Sequence, residues 1–378
     1  MTFRPAWAEV DLAAVAHNAA RLRQWAAPAR LCAVVKADGY GHGAVPVARA
    51  ALAGGAEWLA VALVEEGVEL REAGIDAPVL VLSEPPPDGW DEVVAQRLRP
   101  AVYTHQGIAG LSAAAGDGVT LGVHLKVDTG MHRVGAPPAE VVALARAIDE
   151  APGLVLEGVW THCAVADEPH DPFTALQIER FTAALAELHA AGLDPALRHA
   201  ANSAGAIAHP GSRFDLVRCG IALYGVHPSA EVGAEVDLRP AMRLVAQVSH
   251  VQRLPPDETV SYGRRFRTER DTTIATVAIG YADGVPRRLS AVGGEVLIGG
   301  VRRPIAGTVT MDQLMVDCGD DEVRVGDEVV LLGRQGPGQV TAEEWADRLD
   351  TIGYEVVCGI GPRVPRRYRE GCSPCDEV

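Results

Sequence analysis

The stretch LCAVVKADGYGHGAVPVARAALAGGAEWLAVA, residues 31–62, decides the fold. It begins and ends with short apolar runs, LCAVVK (31–36) and EWLAVA (57–62), and an amphipathic pattern, GAVPVARAALAGG (43–55), lies between them. Apolar runs that flank a helical pattern are typical of strand–helix–strand units in a parallel sheet, because both faces of each strand are buried there. We therefore expect an α/β fold.

The same unit repeats along the chain as far as residue 219. The further apolar runs are PVLVL (78–82), RPAVY (99–103), LGVHLKV (121–127), LVLEGVW (154–160), ALRHA (196–200) and FDLVRC (214–219). Eight strand-like runs separated by helical patterns over about 200 residues predict a (β/α)8 TIM barrel. A doubly wound open sheet is the structural alternative.

The pattern changes after about residue 235. Segments such as MRLVAQVSHVQRL (242–254) and TTIATVAIGY (272–281) are β-branched and bounded by Gly, Pro or Asp, which indicates strands. TAEEWADRL (341–349) is the clearest helical pattern in this part. The sequence predicts a barrel domain over 1–235 and a mostly β domain over 236–378. The early segment WAEVDL (7–12) also has a strand pattern, and it could pair with the second domain.

Composition restricts the partners that the protein could have. The chain has 378 residues, 48% of them hydrophobic and 22% charged, with a net charge of −16. Such an acidic protein repels nucleic acid and anionic membranes, so a small-molecule substrate is expected. The N-terminal segment MTFRPAWAEVDL lacks a signal-peptide core, and no apolar run has the length of a membrane span, so we expect a cytoplasmic protein.

Cysteine and lysine usage are both informative. The seven cysteines are scattered, and only Cys372 and Cys375 form a CxxC pair, without the second ligand pair that a metal site needs; no metal is expected. Among 34 basic residues only Lys36 and Lys126 are lysines. Arginine cannot lose its proton or act as an amine nucleophile, so these two positions indicate chemistry that arginine cannot perform.

Several unusual polar residues lie at the ends of the predicted strands or after them. They are Lys36, Arg133, His162, Asn202, Ser203, Arg218 and Gly220. Catalytic groups of a (β/α)8 barrel lie at the carboxyl ends of its strands, so these residues predict one active site at that end.

The chemistry of this end indicates a cofactor. A lysine in an apolar setting becomes a nucleophilic amine that can form a Schiff base with an aldehyde. The late segments ANSAG (201–205) and RCGIALYG (218–225) are suited to binding a phosphate. Together they indicate pyridoxal 5'-phosphate. A class I aldolase also combines a barrel lysine with a phosphate site, but its lysine usually lies on a late strand.

The segment AVVKADGYGHGA (33–44) resembles the pyridoxal-binding signature of the alanine racemase family. Eight further segments match the family in the same order, and together they cover about residues 5 to 369. They are KVDTGMHRVG, WTHCAVADEP, HAANSAG, VRCGIALYG, VSYGRRF, GYADGVPR, GTVTMDQ and TIGYEVVCGIGPRVPR.

The resemblance implies a homodimer with shared active sites that interconverts L- and D-alanine and supplies D-alanine for peptidoglycan. Lys36 would hold the cofactor and act as the base on the D side, and Tyr262 of the partner chain would act on the L side. A phenol is a poor base near neutral pH. In the family a hydrogen-bond chain assists it, and here that chain would run through His162, Arg218 and His199.

The remaining roles are also carried over from the family. Arg218 would face the pyridine nitrogen, and Arg133 would bind the cofactor and the substrate carboxylate. The phosphate would be held, near Asn202, by Tyr40, Ser203, Gly220, Ile221 and Tyr354. Met311, Asp312 and Tyr281 would line the substrate site. Lys126 would be carbamylated and would orient Arg133.

Departures from the family pattern are few. Cys163 and Cys219 stand where an aromatic residue and a proline are common, and we expect thiol reagents to reach Cys219 beside the cofactor. Three rival functions share many of these motifs: a broader amino-acid racemase, a pyridoxal-dependent decarboxylase of the same fold, and a non-catalytic pyridoxal-binding protein. The last lacks the second domain and its tyrosine.

Overall fold

The computed structural model describes residues 3–370. The pair Cys372 and Cys375 lies outside the described residues. Contact clustering divides the chain into two compact units. The barrel unit contains Val15–Gly39 and Ala44–Arg239, and the second unit contains the residues up to Ala14, Tyr40–Gly43 and the residues from Pro240 onward. No helix within the described range is long and apolar enough to cross a membrane.

The chain begins with strand β1 (Ala6–Asp11) and helix α1 (Leu12–Ala26), and then enters the barrel sheet. The barrel strands are β2 (Arg30–Val34), β3 (Trp58–Val61), β4 (Val79–Val81), β5 (Arg99–Val102), β6 (Leu121–Lys126), β7 (Leu154–Trp160), β8 (Leu197–His199) and β9 (Leu216–Cys219). The helices of this part are α2 (Ala44–Ala53), α3 (Val64–Glu72), α4 (Trp90–Ala95), α5 (His105–Ala115), α6 (Val141–Glu150), α7 (Phe173–Ala190) and α8 (Ser203–Ala208).

The barrel strands are parallel and lie in the order β8-β7-β6-β5-β4-β3-β2-β9. The two ends of this row meet, because Arg218 N donates to Ala201 O at 3.0 Å and Asp215 N donates to Arg198 O at 3.0 Å. This closure excludes the doubly wound alternative, in which the sheet stays open. The predicted (β/α)8 barrel is confirmed. Strand side chains such as Leu31, Leu59 and Leu80 are fully buried.

The second unit is mostly β, as predicted for the C-terminal part. Its strands after β1 are β10 (Met242–Leu254), β11 (Thr259–Val260), β12 (Phe266–Arg267), β13 (Thr272–Val277), β14 (Glu295–Ile298), β15 (Val301–Pro304), β16 (Leu314–Gly319), β17 (Glu328–Gln335), β18 (Gly338–Val340) and β19 (Arg366–Arg369). Two helices follow β18: α9 (Ala342–Leu349) and α10 (Gly353–Cys358). Strand β1 pairs antiparallel with β10 and parallel with β19.

Candidate active site

Lys36 follows β2 directly and starts an unusual turn. Ala37 and Asp38 have φ/ψ angles of 53°/52° and 51°/49°, Gly39 has 60°/46°, and Tyr40 has a φ of 51°. Residues with a Cβ pay about 1–2 kcal/mol each for this left-handed conformation. Local propensity therefore opposes the turn, and contacts elsewhere in the chain must hold it.

Glu66 on α3 supplies one of those contacts, and Asp38 Oδ1 supplies another by accepting from Ala44 N at 2.9 Å. Glu66 Oε1 accepts a hydrogen bond from Ala37 N at 2.6 Å, and its Oε2 accepts from Ala62 N at 2.8 Å and Leu63 N at 3.1 Å. One carboxylate thus fixes the residue after Lys36 and the start of α3. The sequence analysis missed Glu66, because an acidic residue in the first turn of a helix is normally a response to the helix dipole.

Four cationic side chains converge on His162, which follows β7. Burial lowers the pKa of His162 well below its ordinary value, and the charges of Arg218, Arg133, Lys126 and Lys36 lower it further. The barrel unit thus brings these five predicted site residues together. A cluster of four cations in a protein with a net charge of −16 is an anion-binding environment.

Arg218 on β9 is buried and fixed by four acceptors. Its Nη1 lies 2.8 Å from His199 Nδ1. Its Nη2 lies 2.9 Å from Thr161 O, 3.0 Å from Ala200 O and 3.2 Å from His162 Nδ1. Burial lowers the pKa of Arg218 to about 10, so the guanidinium stays charged at neutral pH. It is a rigid, permanent positive charge.

Lys126 lies on the inner face of β6. Its Nζ donates to Val134 O at 2.9 Å and lies 4.9 Å from the ring centroid of Trp160. Burial, with the charges of Arg133 and Arg218, lowers the pKa of Lys126 to about 8. A neutral amine is therefore accessible here at mildly alkaline pH. Arg133 itself is exposed.

The segments after β8 and β9 meet at Ser203. Ser203 Oγ accepts from Gly220 N at 2.9 Å and from Ala222 N at 3.4 Å, and Ile221 lies between these two residues. The neighbouring Asn202 caps α8, since its side chain accepts from Gly205 N at 2.9 Å. Asn202 thus has a structural role in this arrangement, whereas the amides near Ser203 face a hydroxyl that a ligand oxygen could replace.

The two unusual cysteines are buried. Burial raises the pKa of Cys163 to about 11 and that of Cys219 to about 12. Reactive cysteines are exposed thiolates. The expectation that thiol reagents reach Cys219 is therefore wrong for the folded chain, because the side chain offers neither access nor a thiolate.

In the second unit, Tyr40 and Tyr354 lie together, with ring centroids 6.2 Å apart. Burial raises the pKa of the Tyr40 phenol, and Tyr354 and Cys358 raise it further. Tyr40 therefore remains a neutral hydrogen-bonding group at physiological pH.

Tyr262 projects from a strained turn and is 73% exposed. The preceding Ser261 has φ 66° and ψ −179°, a region that is almost restricted to glycine. Thr308 compensates this strain: its carbonyl accepts from Ser261 Oγ at 2.6 Å, and its Oγ1 donates to Tyr262 O at 2.9 Å. Ser261 and Tyr262 also line a groove of about 450 Å³.

Tyr281, Met311 and Asp312 lie on two joined loops of the same unit. Tyr281 N donates to Thr310 O at 2.9 Å, and both Tyr281 and Met311 have exposed side chains. Asp312 is exposed and forms an ion pair with Arg363 at 2.7 Å. The second unit therefore presents an exposed set of aromatic, sulfur and charged side chains.

Potential metal ligands are scattered: no part of residues 3–370 groups three or more of them.

Comparison with known proteins agrees with this geometry. Residues 10–228 match the family model described as "Alanine racemase, N-terminal domain", and residues 241–368 match "Alanine racemase, C-terminal domain". The chain belongs to the alanine racemase family. The resemblance is confirmed, and with it the assignment to a family of isomerases.

Named alanine racemases are similar over almost their whole length. The alanine racemase of Symbiobacterium thermophilum is 53% identical over 97% of both chains, and that of Thermobifida fusca is 48% identical over 96% of this chain and 97% of its own. The crystal structure from Streptomyces lavendulae has a TM-score of 0.92 at 44% identity and covers 98% of this chain and 99% of its own. The Bacillus anthracis enzyme with bound L-Ala-P has a TM-score of 0.91 at 39% identity, with 98% and 96% covered.

Proposed function

We propose that the chain interconverts L- and D-alanine with pyridoxal 5'-phosphate bound at the carboxyl end of the barrel strands. The observation that carries the proposal is the convergence of Lys36, Lys126, Arg133 and Arg218 on His162. The positive charge that these side chains give the unliganded chain suits a ligand pair that brings a phosphate and a substrate carboxylate to one place. Family membership supports the choice of alanine.

The donor set fits this cofactor. A primary amine, Lys36, follows β2, and a fixed guanidinium, Arg218, lies on the neighbouring strand β9, where it is in register with Cys32. The amides of Gly220 and Ala222, now on Ser203 Oγ, are donors of the kind that phosphate oxygens accept from. When bound, pyridoxal phosphate supplies an electron-withdrawing ring that acidifies the Cα–H bond of the attached amino acid.

Arg218 would fix the electronic state of the ring. A guanidinium only donates hydrogen bonds and does not release its proton at neutral pH. Placed against the pyridine nitrogen, it would leave that nitrogen unprotonated. Arg218 would thereby favour rapid return of the proton to the substrate over side reactions such as transamination.

Two groups would move the Cα proton from opposite faces. Lys36 Nζ would serve the D face, and Tyr262 Oη of a second copy of the chain would serve the L face. Opposed bases are the geometric requirement of racemisation. The strain at Ser261 and its compensation by Thr308 would fix the backbone that carries Tyr262.

We further propose a homodimer in which the barrel domain, 1–235 apart from the first strand that pairs with the β domain, binds the cofactor, and the β domain, 236–378, completes the partner's site. The exposure of Tyr262, Tyr281 and Met311 in the single chain supports this assembly, because large exposed apolar side chains mark interaction surfaces. Asp312 would line the substrate site of the partner.

The remaining assignments complete the site. Arg133 would bind the substrate carboxylate, and Lys126 would orient Arg133 after carbamylation. Carbamylation needs a neutral amine, and the lowered pKa of Lys126 makes that form accessible. The groups proposed to hold the phosphate are Tyr40, Ser203, Gly220, Ile221 and Tyr354. We place the enzyme in the cytoplasm, where it would supply D-alanine for peptidoglycan.

The deciding experiment incubates the purified protein with L-alanine in heavy water and analyses the product by chiral chromatography and mass spectrometry. We expect D-alanine that carries deuterium at Cα, and little turnover of L-serine or L-lysine. A folded, yellow protein that forms no D-alanine would contradict the proposal.

Tyr262→Phe separates the two bases. Racemisation should fall about 100-fold or more, the size of a general acid–base contribution. The variant should keep its yellow cofactor band and still exchange the Cα hydrogen of D-alanine, because Lys36 serves that face alone. Loss of exchange from both isomers would argue against two opposed bases.

A further inference from the structure

A row of polar side chains runs through the barrel interior from the site end toward the opposite end. We name it the relay. It consists of His162, Arg218, His199, His124 and Glu157, with successive separations of 3.2 Å, 2.8 Å, 2.9 Å and 3.5 Å between the facing nitrogen and oxygen atoms. Glu157 Oε2 also lies 2.7 Å from Arg99 Nε. Neither His124 nor Glu157 has a role in the proposed mechanism.

The chemistry of arginine fixes the direction of every hydrogen bond in the relay. Arg218 can only donate, so His199 Nδ1 must accept, and a neutral His199 carries its proton on Nε2. That proton faces His124 Nδ1, which must accept in turn, and His124 therefore carries its own proton on Nε2. This N–H faces the carboxylate of Glu157. At 3.5 Å the last contact is longer than an ordinary hydrogen bond, and it brings a polarised N–H to a negative charge.

The backbone provides space for these side chains. A Cβ added to Gly158 would lie 2.4 Å from His124 Nδ1, and a Cβ added to Gly122 would lie 2.3 Å from Glu157 Oε2. Glycine inside a strand costs stability and commonly marks a close approach of another group. Both glycines have ordinary φ values, so space rather than backbone conformation explains them.

A break in strand register directs Glu157 toward the relay. Val123 pairs with Leu156, and the next residue, His124, pairs with Gly158, so Glu157 is the extra residue of β7. A β-bulge of this kind re-aims a side chain that regular alternation would point elsewhere. Gly158 and Gly122 thus leave space for His124 and Glu157, and the bulge brings Glu157 close to His124.

Arg218 has no carboxylate within ion-pair distance in the part of the chain that the structure describes, and it donates to imidazole nitrogens and carbonyl oxygens. A buried charge without a counter-ion is costly. Glu157 is the carboxylate that the relay connects to it. Burial alone would raise the pKa of Glu157, but His124 and Arg99 hold it below its usual value, so the group is anionic at neutral pH.

We propose that Glu157 and His124 are positioning residues that act as a remote counter-ion for Arg218 and hold the guanidinium in the orientation that the cofactor ring requires. The catalytic consequence rests on the proposed racemase function. The direction of the hydrogen bonds in the relay, which we call its polarity, does not depend on that function, and it can be measured separately.

The first measurement is a two-bond proton–nitrogen correlation spectrum of protein labelled with ¹⁵N-histidine, assigned with His124→Gln and His199→Gln. We expect both rings to be neutral Nε2–H tautomers at neutral pH, because burial lowers the pKa of each. The charged groups facing them are Glu157 and Arg99 at one end and Arg218 at the other. An Nδ1–H tautomer, or a ring that is protonated at neutral pH, would overturn the proposal.

The second measurement compares Glu157→Gln with Glu157→Asp in the holoenzyme. The glutamine keeps the size of the side chain and loses its charge. The aspartate keeps the charge and shortens the side chain. We expect Glu157→Gln to lower kcat about 10-fold without changing KM, and Glu157→Asp to retain more activity. If the side chain only fills space, the order of the two variants is reversed, and the proposal fails.

Gly158→Ala tests the contact from the other side, because its methyl group would displace His124. The matched control is Gly211→Ala, where an added Cβ meets nothing within 4 Å. We expect a loss of kcat in the first variant and wild-type kcat in the second, with folding checked by circular dichroism. Wild-type kcat in a folded Gly158→Ala variant would contradict the proposal.

A wild-type protein with both Nε2–H tautomers but no racemase activity would contradict the proposed function and support the relay's polarity.

Discussion

The left-handed turn after Lys36 should depend on Glu66. Replacing Glu66 by alanine removes the acceptor that holds Ala37 N at 2.6 Å, and it leaves the strained conformation of Ala37 and Asp38 with one hydrogen bond fewer to hold it. The turn is then expected to open locally while the barrel strands stay folded. Lys36, one residue before the turn, would lose its fixed position.

The size of the effect follows from the contacts. A hydrogen bond to a charged group contributes about 1.5–3 kcal/mol, and we take about 2 kcal/mol because Ala37 is exposed and water can replace part of the bond. We do not count the bonds to Ala62 and Leu63, whose amides lie at the start of a helix that persists. About 2 kcal/mol corresponds to a roughly 30-fold increase in the open population.

Hydrogen exchange followed by mass spectrometry measures this opening directly. Amides in 37–39 should exchange roughly 30-fold faster in Glu66→Ala, while those of β2 and β3 keep their protection. The control is Glu65→Ala, because the neighbouring Glu65 is exposed and lies on the same helix turn. Wild-type exchange at 37–39 in Glu66→Ala, or equal acceleration in both variants, would refute the reasoning.

Three further outcomes are expected. In protein kept free of carbon dioxide, so that Lys126 is an amine, its pKa is about 8 in the folded chain against an ordinary value of 10.5, and the unfolded state binds more protons between these values. The free energy of unfolding of the wild type, measured by chemical denaturation relative to Lys126→Met, should therefore rise with pH across that window. Thr308→Val removes one hydrogen bond to the backbone of Tyr262. Because such a bond contributes about 1 kcal/mol, the variant should lower kcat about fivefold without loss of the cofactor band. Iodoacetamide should modify the exposed Cys358 and spare Cys219 until the protein is denatured, which peptide mass spectrometry would detect.

Apolar periodicity was sufficient to predict the barrel strands. The run LCAVVK (31–36) overlaps β2 (Arg30–Val34), and EWLAVA (57–62) contains β3 (Trp58–Val61). The helix at TAEEWADRL is found as Ala342–Leu349. The predicted end of the first strand at Lys36 was two residues too late, because the chain leaves the strand to enter a left-handed turn. No propensity predicts that turn, since tertiary contacts impose it against the preference of Ala37 and Asp38.

The barrel-end residues were predictable because the carboxyl ends of parallel strands must lie at one end of the barrel. The sequence could not indicate His124 and Glu157, which precede those ends and lie within strands. Regular alternation places neighbours on opposite faces of a strand, and the bulge at Glu157 breaks that rule. Glu66 was missed for a related reason, because its role depends on a turn that local sequence does not encode.

The separation between Arg218 and the carboxylate of Glu157 has a chemical rationale. A carboxylate placed directly on Arg218 would offset the cost of burying the guanidinium, but its negative charge would also lie among Lys36, Lys126 and Arg133 and would compete with an incoming phosphate or carboxylate for them. Two imidazoles between Arg218 and Glu157 separate these effects: the negative charge remains connected to the arginine, and the cations at the barrel end stay available for anionic ligands. Neutral histidines suit this position, because each can accept a hydrogen bond on one nitrogen and donate on the other without adding charge.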